Sequence, residues 1–254
     1  MCPRGARLLS GHGGLVEPTK IVAHCLLIEA DGELVLVDTG FGLGDCSDPK
    51  RLGQPFRALV RPICDEGESA IRQVEGLGHD PADVRHIVAT HLDPDHAGGI
   101  GDFPDAQIHV FASELAAAKS PPLLERTRYV SAQWGEHPIW VEHGVGGDSW
   151  FGFESIRLLP GLDAEIAMIP LTGHTAGHCG VAINTPDGWL LHCGDAFFFA
   201  GEIETPRRCP PGLRFFQTLD QHDGKARHRN QERLRELQRV HGDDVELVCS
   251  HDPQ

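Results

Sequence analysis

An α/β fold with two sheets packed face to face and helices outside them is what the sequence predicts. Three observations carry it. β-rich runs alternate with stretches of helical spacing across residues 66–119, the pattern of layered α/β domains. A second group of strands between Phe153 and Cys193 is followed by an amphipathic stretch and a last strand. His and Asp residues collect just after several of these strands, which puts polar chemistry at strand ends.

The elements follow in order. Ile21–Ile28 and Glu33–Val37 read as strands joined by an Asp31-Gly32 hairpin turn. Residues 41–64, rich in Gly, Pro and Asp, read as a surface loop. Glu66–Leu77 has helical spacing, with Ile71, Val74 and Leu77 on one face and Gly78 as its C-cap. Asp80–Val84 is a helical turn leading to a strand over residues 86–90. Gln107–Phe111 is a strand, and Glu114–Lys119 a helix with Ser113 as its N-cap. Residues 121–147 are poorly patterned; they read either as a loosely packed excursion around Tyr129, Trp134 and Trp140 or as a substrate-side lid. Short strands then follow at Phe153–Leu159, Glu165–Leu171, Val181–Asn184 and Trp189–Cys193, and a Pro/Arg/Gly loop runs to Gly212. Gln231–Val240 is an amphipathic helix, and Val245–Cys249 the last strand.

At 254 residues the chain is long enough to bury a sizeable core as a single domain, 1–254, with 121–147 as a lid or insert. The 37 acidic and 22 basic residues give a formal charge of −15, which disfavours nucleic acid and anionic membrane as partners and leaves a small molecule. No apolar run approaches membrane-spanning length. The first residues lack the apolar stretch of a secretory signal, so a cytoplasmic location is expected. The eight cysteines form no CxxC pair and read as reduced, mostly buried residues.

The chemistry concentrates in Thr90-His91-Leu92-Asp93-Pro94-Asp95-His96-Ala97-Gly98-Gly99-Ile100. His91, Asp93, Asp95 and His96 are metal-competent side chains in a loop after an apolar run. His174 in Gly173-His174-Thr175-Ala176-Gly177-His178, Asp195 in Gly194-Asp195 and His251 in Ser250-His251-Asp252 add three more. Imidazole and carboxylate together suit divalent metals. Ligands at the ends of different strands can converge on one sheet edge.

As an ordered set, the HxDxDH loop, the GHTAGH segment, the later Gly-Asp and the final Ser-His-Asp closely resemble the metallo-β-lactamase-fold hydrolase superfamily. Asp38-Thr39-Gly40 after the first hairpin matches that family's opening, and the resemblance runs from about Ile21 to Asp252. It implies an αββα sandwich of two mixed β-sheets. It also implies a dinuclear centre: His91, Asp93 and His174 on one metal, Asp95, His96 and His251 on the other, and Asp195 bridging. A metal-bound hydroxide is then the nucleophile, and Asp95 the catalytic residue that orients it and moves its proton. Asp38, His178, Ser250 and Asp252 are expected to support the ligands from outside the metal shell. The ending is similar to lactonase-type and glyoxalase II-type branches, so a lactone, thioester or related ester is the expected substrate.

Asp93 departs from the commonest pattern, HxHxDH. Asp93, Asp95, Asp195 and hydroxide together would cancel the charge of two divalent metals. Zinc is the expected metal, with iron or manganese favoured more than usual by the extra carboxylate. Replacing Asp93 by histidine is expected to strengthen zinc retention. The acidic residue there also resembles flavodiiron proteins, which implies a redox-active di-iron alternative, although no flavin-binding domain follows. Phosphotriester hydrolysis is a further alternative. Phe198 stands where some lactonases place a tyrosine. Phe197, Phe198 and Trp134 either wall a substrate pocket or pack the core. The remaining histidines, His86, His109, His137 and His143 among them, read as surface or structural residues, and His24 as the one best placed to approach the site.

Overall fold

The computed structural model describes residues 1–134, 139–159 and 164–253. The chain divides into two compact units. The first comprises Ala23–Gly144 with Gly161–Ala164; the second comprises Met1–Val22, Val145–Pro160 and Glu165–Gln254.

In the first unit, β1 (Leu26–Ala30) and β2 (Glu33–Val37) form an antiparallel hairpin. Its turn residues Asp31 and Gly32 both have positive φ, 49° and 82°, as a tight two-residue turn requires. The β1 strand is shorter than the apolar run suggests, because residues 21–25 are not in the ladder. β3 (Val84–Val88), β4 (Gln107–Phe111) and β5 (Ile139–His143) complete a five-stranded sheet in the order β1-β2-β3-β4-β5, parallel from β2 onward. α1 (Ala70–Gly76) precedes β3, and α2 (Ala112–Lys119) follows β4 directly. Leu36, Ile87, Ile108 and Val110 pack with Val74 of α1 and Leu115 of α2 in one core. Each such side chain contributes ~1.5–3 kcal/mol when fully buried. Val35, Val37, Val88 and Phe111, on the opposite face, are buried too. Burial on both faces explains why these parallel strands read as unbroken apolar runs.

Three expectations are corrected here. Residues 41–64 are not simple loop: they contain helical turns at Leu43–Ser47, Pro49–Leu52 and Gln54–Val60. Gly and Pro mask such short turns, and the Asp48 carboxylate accepts from the Lys50 N–H to start one of them. α2 begins at Ala112 with no side-chain cap, so Ser113 is not its N-cap; the helix continues straight from β4. The aromatic residues of 121–147 do not stand apart from the core, although most of its described residues are exposed or half-buried. Tyr129 and Trp134 are in the core, β5 lies within the segment, and Trp140 packs edge-on to Trp134. Residues 135–138, His137 included, lie outside the described residues.

The second unit holds β6 (Asp148–Trp150), β7 (Phe153–Leu158), β8 (Ile166–Pro170), β9 (Cys179–Thr185), β10 (Gly188–His192) and β11 (Val245–Val248). They form one sheet in the order β11-β10-β9-β8-β7-β6, with β10 and β11 parallel and the other pairs antiparallel. α3 (Pro211–Leu219) takes in the last two residues of the expected Pro/Arg/Gly loop. α4 (Gly224–His241) starts earlier than its apolar stripe. Its start is fixed by Asp223, whose carboxylate accepts from the Lys225 and Ala226 N–H groups at 2.8 and 3.1 Å. Leu234 and Leu237 of α4 pack with Ala167, Ile169, Ala182 and Leu191 of the sheet. Among the described residues no helix is long and apolar enough to cross a membrane.

Candidate metal centre

Both sheets are mixed, and in each unit the loops beyond strand ends carry the histidines and aspartates singled out above. In the first unit the motif loop leaves β3 and makes a single helical turn, Pro94–Ala97, which Pro94 opens with its pre-set φ. The backbone of Asp38-Thr39-Gly40 clamps this turn. Thr39 donates its N–H and its hydroxyl to the His96 carbonyl at 2.8 and 2.9 Å. The clamp requires glycine at position 98: a Cβ there would lie 2.6 Å from the Gly40 carbonyl oxygen. From α2, the buried Glu114 carboxylate accepts the Leu92 N–H at 3.0 Å. From the 121–147 segment, the Gln133 amide donates to Asp45 at 2.8 Å and to the Pro94 carbonyl at 3.0 Å.

Asp38 organises the imidazoles. Its left-handed backbone, φ 55°, turns the carboxylate under the loop. One oxygen accepts the Thr90 N–H at 2.8 Å; the other accepts the Thr90 hydroxyl at 2.8 Å and meets His96 Nδ1 at 2.9 Å. The Thr90 hydroxyl, its proton given to Asp38, accepts from His91 Nδ1 at 2.9 Å. Both rings are thus held through Nδ1–H, which leaves Nε2 as the lone-pair nitrogen. The two rings lie 4.0 Å apart. His91 Nε2 is 3.4 Å from Asp93 Oδ2, and His96 Nε2 is 3.9 Å from Asp95 Oδ2. Each histidine therefore has its own carboxylate. Asp93 Oδ2 also forms an ion pair with Arg128 at 3.1 Å.

In the second unit, His174 follows β8. Gly173, at φ 136°, lets the chain pass so close to α4 that a Cβ would lie 2.3 Å from the Arg227 nitrogen. Asp195 follows β10. Its Oδ2 lies 3.4 Å from His174 Nε2 and 3.1 Å from His251 Nε2, so one carboxylate oxygen serves two imidazoles. His251 donates from Nδ1 to the Val22 carbonyl at 2.7 Å, which again turns Nε2 toward Asp195. Both ring nitrogens of His178 have protein partners: Nδ1 donates to the Leu171 carbonyl at 2.9 Å, and Nε2 accepts the Asp195 N–H at 2.8 Å. His178 accordingly positions Asp195. Asp252 accepts the Ala200 N–H at 2.7 Å, and the Ser250 N–H donates to the Gly194 carbonyl at 3.1 Å.

The pocket candidates separate. Trp134 and Phe197 belong to the hydrophobic cores of their units, where burial of aromatic area places them. Phe198 packs against His251 and His174, with centroids 4.7 and 5.8 Å apart. His24 is exposed. Burial, with Asp38 and Asp95 nearby, pushes the Cys25 thiol up and keeps it protonated.

Sequence reasoning missed Arg128, Glu114 and Gln133, which lie in or before the poorly patterned segment and touch the motif loop only through folding. Thr90 could have been found, since it directly precedes His91. It also missed that His86, His109 and His143 form a ladder across β3, β4 and β5. His86 Nδ1 and His143 Nε2 each lie 3.0 Å from a nitrogen of His109. Burial, reinforced by His143 and then His86, pushes His109 down to about 3.

The donor chemistry fits divalent metal ions: Nε2 lone pairs fixed by Nδ1 hydrogen bonds, each beside a carboxylate oxygen. Comparisons with known proteins point the same way. The family model described as "Metallo-beta-lactamase superfamily" matches residues 18–251. The "Probable metallo-hydrolase" of Mycobacterium tuberculosis is 46% identical over 234 residues, covering 92% of this chain and 75% of that one. The N-acyl homoserine lactonase AttM of Rhizobium radiobacter is 27% identical, covering 92% of this chain and 83% of its own. A solved N-acyl homoserine lactone hydrolase, with N-hexanoyl-L-homoserine at its catalytic metal centre, aligns over 99% of this chain and 90% of its own. Its TM-score is 0.73 at 21% identity, a likeness of fold.

Proposed function

The chain belongs to the metallo-β-lactamase superfamily, and from that premise we propose that it opens a small lactone or a related ester with two zinc ions. It is a metal-dependent hydrolase, as its 46%-identical relative is named. The lactone preference rests on relatives named N-acyl homoserine lactonases, and the zinc assignment on imidazole and carboxylate donors together with a fold neighbour described as dizinc.

The observation that carries this reading is Asp195 Oδ2, set between His174 Nε2 and His251 Nε2. A carboxylate shared by two imidazoles suits a ligand shared by two metals. In our assignment His91, Asp93 and His174 would hold one ion, Asp95, His96 and His251 would hold the other, and Asp195 would be available to both. When bound, the ions supply Lewis acidity to the scissile carbonyl and lower the pKa of water.

The chain's own residues then have defined tasks. Asp38, through Thr90 and His96, fixes the two imidazoles of the motif loop. His178 fixes the backbone of Asp195. Asp95 takes a proton from the attacking water and returns it to the leaving alkoxide, so that water adds across the acyl–oxygen bond to give acid and alcohol. Phe198 offers no hydroxyl to the developing oxyanion and presents an apolar ring beside His251.

The test is a panel of lactones, thioesters, aryl esters and phosphotriesters, run on zinc-, manganese- and iron-loaded protein with His96→Ala as control. We expect lactones to turn over fastest, chelation to abolish turnover, and the substitution to lower it at least ~100-fold. Turnover that survives both chelation and the substitution would remove the metal mechanism.

A further inference from the structure

We propose that Arg128 is a positioning residue for the first metal subsite: its ion pair with Asp93 offsets the charge of that carboxylate and so sets the affinity of the subsite. The inference rests on the assignment of Asp93 as a ligand. Arg128 Nη1 lies 3.1 Å from Asp93 Oδ2, and both side chains are only 9% exposed, so the pair is little screened by solvent. The same oxygen is 3.4 Å from His91 Nε2. Although Asp93 stands at the N-cap of the Pro94–Ala97 turn, it makes no capping hydrogen bond there, and its carboxylate is directed to Arg128 and His91 instead.

Arg128 is held in place. Its N–H donates to the Glu125 carbonyl at 3.0 Å, and the next residue, Tyr129, is anchored in the core. The physical consequence is electrostatic. Asp93 and Arg128 together add no net charge, so the subsite gains an oxygen donor without the extra negative charge that Asp93 alone would bring. Extra negative charge at the centre would weaken its Lewis acidity, and the guanidinium offsets that charge. A fixed guanidinium beside the ligand also opposes a second cation, which keeps metal affinity in check. Asp93→His on its own should then weaken zinc retention rather than strengthen it, because it removes the carboxylate that offsets the Arg128 charge beside the subsite.

The experiment measures zinc affinity by chelator competition, and metal content per chain, for the parent, Arg128→Gln, Arg128→Lys, Asp93→His and Asp93→His/Arg128→Gln. We expect Arg128→Gln to tighten zinc binding ~10-fold or more, and Arg128→Lys, which keeps the charge, to stay within ~3-fold of the parent. Asp93→His should bind more weakly than the parent, and the double variant should recover that loss. Equal zinc affinity in the parent and both Arg128 variants, with no recovery in the double variant, would overturn the proposal. A parent that takes up no metal after zinc addition would instead remove the metallohydrolase reading beneath it.

Discussion

The Asp38 carboxylate meets His96 Nδ1 at 2.9 Å across 58 positions of sequence, and the same oxygen accepts the Thr90 hydroxyl. One buried group outside the proposed ligand set thus orients two imidazoles within it. Asp38→Asn tests this cleanly, because asparagine tolerates the left-handed backbone that Asp38 adopts. Zinc affinity should fall ~10–100-fold with little change in secondary structure. Parent-like affinity would show that Asp38 only closes the turn.

His178 links two backbone segments of the second unit, from Leu171 to Asp195. His178→Leu leaves a buried N–H and a buried carbonyl each without its imidazole partner. The expected cost is ~1–3 kcal/mol per unsatisfied group, read as a lower Tm, together with weaker metal retention because Asp195 loses its anchor. A drop in Tm with unchanged metal retention would separate packing from positioning.

The histidine ladder predicts acid sensitivity. Burial lowers His86 and His143, and His109 falls to about 3 with both neighbours contributing. A histidine whose pKa is depressed by folding binds fewer protons in the native state. Its stabilising neutral form is fully effective above the unfolded pKa of ~6.5 and is progressively lost as pH falls from there toward 3. In metal-free protein, His109→Gln should flatten the decline of stability between pH 6.5 and 4, read as Tm, by up to about 3 kcal/mol. Parallel Tm curves for the two proteins would exclude His109 as a source of the acid sensitivity.

Gly98 is a steric requirement of the motif loop. An added Cβ would lie 2.6 Å from both the Gly40 oxygen and Asp45 Oδ2. Gly98→Ala should cost ~2 kcal/mol or more and displace the loop, while Gly76→Ala, where a Cβ meets nothing, should be neutral or slightly stabilising. Similar Tm values for the two variants would contradict the close packing of Asp38-Thr39-Gly40 against the loop.

By itself, the sequence determined whatever is encoded locally. Asp31-Gly32 specified its hairpin, period-two and apolar runs specified most strands of both sheets, and the order of the His and Asp motifs specified the family and the metal chemistry. Short spacing carries such signals because neighbouring residues share a strand, a turn or a helix face. The short turns of 41–64, β6, β5 and α3 were less legible, since Gly and Pro or few apolar residues weaken the period. Only the tertiary structure decided which distant side chains meet. It paired Asp93 with Arg128, aligned His86, His109 and His143 on three adjacent strands, and sent Trp134 into the core. Those contacts depend on strand register and helix packing, which join residues far apart in sequence and leave no periodic trace in it. Asp93 shows the difference: its place in the motif was readable, but the charge beside it was set by the fold.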